Sequence, residues 1–76
     1  MASVLAGAVM NRRERKRVAV EILTYLIGVR GLTIRKIAIR SGIVERSIYR
    51  WLDGLVPQPA KLGHLQKFAK RYGWRD

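Results

Sequence analysis

The chain is predicted to be all-α: a small four-helix bundle containing a helix–turn–helix, with a fifth helix only if the first ten residues add a short one. Three observations predict it. The chain has 76 residues, 49% of them hydrophobic, which is enough apolar side chain for one compact helical unit and too much for disorder. Apolar residues recur at helical spacing in two stretches, Val18 to Val29 and Leu62 to Tyr72. Between them, Leu32 to Gly54 (LTIRKIAIRSGIVERSIYRWLDG) is patterned as two short helices around a glycine turn. A chain of this length buries only about 60% of its unfolded surface, so the expected core is modest.

Composition narrows the function. Sixteen Lys and Arg against five Asp and Glu leave a formal net charge of +11. That excess implies a polyanionic partner, most often nucleic acid and less often an anionic membrane surface; the plainer alternative is a merely basic protein. There is no cysteine, hence no disulfide frame and no thiolate zinc site, and the one histidine, His64, does not make a metal site alone. No glycine-rich phosphate loop, carboxylate pair at useful spacing or nucleophile with an evident base is visible, so neither enzyme chemistry nor a cofactor is expected.

Residues 1 to 10 (MASVLAGAVM) are apolar, too short to span a bilayer, and followed rather than preceded by basic residues, against a secretory signal. A cytoplasmic, nucleoid-associated protein is therefore expected, with 1–10 a tail or short extra helix and 11–76 the folded domain. A sharper alternative packs Val4, Leu5, Val9 and Met10 on a partner subunit. Asn11 to Arg17 (NRRERKR) holds five basic residues and one acid. Asn11 and Glu14 have the spacing of a capping box that starts the first helix. Cations in that first turn oppose the helix dipole, so a reason outside the helix is plausible: Arg12, Arg13, Arg15 and Lys16 are assigned to phosphate contacts, the alternative being a solvated turn. Val18, Ile22, Tyr25, Leu26 and Val29, widened by Leu23, form the core stripe. Gly28 weakens the last turn by about 1 kcal/mol against Ala, and Gly31 suits the stop.

Thr33 is the expected N-cap of the second helix, Ile34 to Arg40. Counting Ile34 as the first position, Ile37 and Ala38 are fourth and fifth, Gly42 and Ile43 ninth and tenth, Ile48 fifteenth and Trp51 eighteenth. Small Ala38 permits two backbones to approach, Gly42 tolerates positive φ at the turn, and the four large apolar residues close the wedge. Ile39 is read as packed against the first or last helix, with an exposed contact as the alternative. Val44 cannot cap the third helix through its side chain, a deficit of about 1 kcal/mol, and Glu45 partly offsets it through the dipole. In that helix, Glu45 to Leu52, Ile48, Trp51 and Leu52 are placed inward; Glu45, Arg46, Ser47, Tyr49 and Arg50 outward. Pro57 and Pro59 bar a continuous helix, so Leu55 to Pro59 is a stiff link. The fourth helix is expected over Ala60 to Tyr72, with Leu62, Leu65, Phe68, Ala69 and Tyr72 inward, Gly73 as the stop and Trp74 folded back onto the last turn.

The spaced positions from Ile34 to Trp51, closed by Asp53-Gly54, resemble the phage repressor and Cro type of helix–turn–helix DNA-binding protein; Glu45 to Leu52 is also similar to resolvase and transposase recognition helices. The resemblance covers about half the chain well and two-thirds loosely. It implies that the third helix enters the major groove N-terminus first, which would bring Glu45, Arg46, Ser47, Tyr49 and Arg50 to the bases. Arg46 or Arg50 would reach guanine O6 and N7, Glu45 the cytosine amino group, and Tyr49 a thymine methyl or a phosphate. A glutamine that often braces a phosphate in the family is replaced here by Ile34, so that role falls to Arg35 or Lys36, with Thr33 also counted among the phosphate contacts; Lys61 takes the backbone contact that the resemblance implies after the third helix. The function implied is a sequence-specific, repressor-like regulator binding double-stranded DNA as a homodimer. Its competitors are an adaptor on the same fold that contacts RNA polymerase through Ile39, the apolar N-terminus and Trp74, and a nonspecific nucleic-acid binder.

Overall fold

The computed structural model describes residues 10–75, and the readings made above for residues 1–9 lie outside the described residues. The described chain is all-α. Its four helices are α1 (Arg12–Thr24), α2 (Ile34–Ser41), α3 (Glu45–Leu52) and α4 (Pro59–Lys70), and α1 runs on into a π-helical turn, Tyr25–Val29. Among the described residues no helix is long and apolar enough to cross a membrane.

The chain starts α1 as its sequence suggests. Asn11 Oδ1 accepts from the Glu14 backbone N–H at 2.8 Å, and Glu14 Oε1 accepts from the Asn11 N–H at 3.3 Å, a complete capping box. The end of α1 departs from expectation. Around Gly28, where α-helical propensity is lowest, bonding widens by one residue, with the Arg30 N–H donating to the Tyr25 carbonyl at 3.1 Å. That extra residue shifts the register, so the apolar stripe ends at Leu26. Val29, expected in the core, is 69% exposed, and Leu32 takes its place in the buried layer.

Thr33 caps α2 by accepting from the Lys36 N–H at 3.1 Å. Gly42 ends α2 at φ 78°, a conformation that carries a penalty for any residue with a Cβ, and its N–H donates to the Ala38 carbonyl at 2.9 Å. After three intervening residues, Gly42 to Val44, the chain is helical again at Glu45. Val44 makes no side-chain cap for α3. The last helix begins one residue earlier than expected, because Pro59 suits the first helical position, and ends at Lys70 rather than Tyr72. Beyond it, the Trp74 N–H donates to the Ala69 carbonyl at 3.1 Å and the indole meets the Tyr25 ring at a centroid distance of 5.6 Å, so Trp74 does fold back.

One core joins all four helices: Val18, Ala19, Ile22, Leu23 and Leu26 from α1 and its extension, Ile37 from α2, Ile48 and Trp51 from α3, Leu62, Leu65, Phe68 and Ala69 from α4, with Leu32 and Ile43 from the connections. α1 lies against α3 and α4, and α2 against α3 and α4. Ala19 and Pro57 are buried although neither was placed in the core by spacing. Ile39, expected to pack, is 73% exposed; helix geometry turns it away from the side on which Ile37 is buried. Leu52, also expected inward, is 39% exposed. At about 100° per residue it projects about 70° off the bisector of Ile48 and Trp51, on the rim of the buried face.

Candidate nucleic-acid interface

The same angles order the outward side of α3. Arg46 and Asp53 point almost directly away from the bisector of Ile48 and Trp51, Tyr49 and Arg50 flank that direction, and Glu45 and Ser47 lie on the shoulders. Exposure follows the geometry: Arg46, Tyr49 and Arg50 are exposed, Glu45 and Ser47 half-buried. Ser47, placed outward from sequence, is therefore a shoulder residue. Glu45, Arg46, Tyr49, Arg50, Leu52 and Asp53 line one shallow concavity of about 650 Å³. Asp53 belongs to this surface and was missed; reading it only as the end of the helix hid that its position continues the Arg46 and Arg50 side.

An ion pair between Glu45 and a neighbouring arginine was the competing account of this face. It does not form. Among the described residues the ion pair present is Arg17 with Glu21, at 3.1 Å on the exposed side of α1. Arg46 and Arg50 keep all their guanidinium donors for a ligand. Their helix is held by Ile48, fully buried, and Trp51, 3% exposed, so the arginines project from a fixed base.

The basic first turn of α1 is brought to the C-terminal end of α3. Arg15 donates from Nε to the Pro57 carbonyl at 3.0 Å and from a terminal nitrogen to the Met10 carbonyl at 2.9 Å. Lys16 reaches the α3 terminus: a Cβ on Gly54 would lie 3.8 Å from its Nζ. A cation there complements the negative end of the helix dipole. Arg15 thus ties α1 to the link before α4, a structural task that the sequence-based phosphate assignment did not foresee, while Arg12, Arg13 and Lys16 stay exposed. Lys61 is exposed in the first turn of α4, just past the same link. Thr33, Arg35 and Lys36 are exposed at the N-terminal end of α2, the far end of that helix from the turn into α3; the Thr33 hydroxyl is engaged as the cap.

A second basic group was not anticipated. Arg40 from α2, His64 and Lys67 from α4, and Arg71 just after it line a crevice of about 70 Å³ with Ser41 and Phe68. His64, Lys67 and Arg71 share one side of α4 at helical spacing, but Arg40 lies 24 or more positions before them on another helix, so no sequence spacing joins it to the group. Among the described residues no three His, Cys, Asp or Glu side chains come together as a metal set.

No family model, curated protein or solved structure matches the chain.

Proposed function

We propose that the protein is a sequence-specific double-stranded DNA-binding regulator of the repressor type, with α3 placed in the major groove. One observation carries the reading. A short helix clamped by Ile48 and Trp51 presents two unpaired arginines, Arg46 and Arg50, one turn apart on its outermost side, in a chain of net charge +11. Arginine at such a position matches the two acceptors of a guanine edge, while Tyr49 and Glu45 extend the contact to neighbouring bases. Arg12, Arg13 and Lys16 beside one end of α3, Lys61 at the start of α4, and Arg35 and Lys36 on α2 supply backbone contacts, which fix register and most of the affinity. A helix of eight residues is about 12 Å long and reads few base pairs, so the working form is a homodimer on a two-fold operator. The place of action is the cytoplasmic nucleoid, and no cofactor is invoked.

The adaptor reading draws support from the exposed Ile39, Val44, Leu52 and Leu55, apolar side chains that suit a protein partner such as RNA polymerase. Selection of bound duplexes from a random DNA pool at near-physiological salt separates the readings. An enriched two-fold motif is the expected result. Retention without enrichment makes the protein a nonspecific binder, and no retained DNA leaves the adaptor.

A further inference from the structure

The crevice between α2 and α4 has a composition that the proposed interface does not use. Arg40, Lys67 and Arg71 are exposed around it, His64 forms part of its wall, and no carboxylate lines it. Two of these side chains are already held. An Arg40 terminal nitrogen donates to the Tyr72 hydroxyl at 3.2 Å, and His64 Nε2 bonds to the Ser41 carbonyl at 2.6 Å. A carbonyl can only accept, so Nε2 carries the proton in that bond. The bond also satisfies the last carbonyl of α2, which would otherwise present a negative end to the cavity. Lys67 and Arg71 make no side-chain hydrogen bond or ion pair among the described residues. The ordinary role of a cation at a helix C-terminus, complementing the dipole, accounts for Arg40 on α2 and for Lys67 on α4. It does not account for three like charges converging on one small cavity, where they repel one another until an anion enters. The crevice is small, about 70 Å³, against about 650 Å³ for the concavity on α3, and is on the scale of a single tetrahedral oxyanion.

The crevice lies where the C-terminal end of α2 meets α4, beside the turn that leads into α3, and is separate from the basic turn of α1 at the other end of α3. The backbone of double-stranded DNA presents singly charged phosphate oxyanions at regular intervals along its length. We infer that the α2–α4 crevice is an anion site for a single phosphate group, filled by a backbone phosphate of bound DNA. The inference rests on the DNA-binding reading for the source of the phosphate, though not for the site itself.

The test pairs the wild-type protein with the double variant K67Q/R71Q, which removes two cations that make no bond in the fold. Titration with inorganic phosphate at low ionic strength, followed by NMR, is expected to give saturating shifts at Arg40, His64 and Lys67 that chloride does not reproduce and the variant lacks. Duplex binding measured across salt concentrations is expected to weaken about tenfold in the variant with base preference unchanged. The slope of log K against log salt should fall by about 0.9, the change for one phosphate contact. Saturating shifts with an unaltered slope would assign the crevice to free phosphate and overturn the backbone source. Absence of both the shifts and the slope change would overturn the site, leaving its cations as helix-end complements. Wild-type protein that retains no duplex at all would overturn the DNA-binding reading, and the phosphate titration would then decide the crevice alone.

Discussion

Arg46 points away from the buried pair Ile48 and Trp51, so its side chain can be removed without disturbing the core. Arg46→Ala should relax preference at one base-pair position by about 1–3 kcal/mol and leave the denaturation midpoint unaltered; a selected motif identical to wild type would remove Arg46 from the reading set. Arg15 makes the opposite case. Its guanidinium bonds two backbone carbonyls across 42 and 5 positions of chain, so Arg15→Gln should lower stability by about 1–2 kcal/mol, where Arg13→Gln should not. Equal midpoints in urea for the two variants would show that Arg15 is no more structural than its neighbour. Gly73 is held still more tightly. Its φ is 92°, and a Cβ there would lie 2.9 Å from the hydroxyl of Tyr25, which itself donates to the Tyr72 carbonyl. Gly73→Ala therefore combines backbone strain with displacement of that hydroxyl, and a loss of about 2 kcal/mol in chemical denaturation is expected.

Among the elements, α3 carries the proposed interface and starts without a side-chain cap. The Val44 carbonyl accepts from the Ser47 N–H at 2.9 Å, but its side chain offers no acceptor to the first turn, although the residue holds the extended conformation of a cap, φ −60° and ψ 130°. Its side chain is exposed, so nothing in the core is lost if it changes. Val44→Ser should raise stability by about 1 kcal/mol, read as a higher urea midpoint; a midpoint at or below wild type would mean the first turn is already satisfied by other means. The boundaries of α2 and α3 were legible because each rests on local chemistry: Thr33, Gly42 and Asp53-Gly54 act through groups within a few residues. The π-turn at the end of α1 was not. It arises where weak local propensity at Gly28 meets the need to bury Leu26 and Leu32 together, and only the second half of that competition is non-local.

For the whole molecule, charge is the dominant quantity. With a net charge of +11 and a single exposed ion pair between Arg17 and Glu21 among the described residues, long-range attraction to a polyanion is only weakly offset internally. Replacing Arg12 and Arg13 together should weaken binding evenly across DNA sequences and reduce the slope of log K against log salt by about 2; a changed base preference instead would place them at bases rather than phosphates.

By itself the sequence determined the fold class, the helix–turn–helix, the caps at Asn11 and Thr33, the left-handed turn at Gly42 and the identity of the outward arginines on α3. Each of these follows from periodicity or from bonds between near neighbours in the chain. Tertiary structure alone decided that Val29, Ile39 and Leu52 stay exposed, that Arg15 serves the fold, that Lys16 sits at the end of α3, and that Arg40, His64, Lys67 and Arg71 share one crevice. The physical reason is common to all of them: burial and convergence depend on the angles at which helices cross, and those angles are set by packing among residues far apart in the chain.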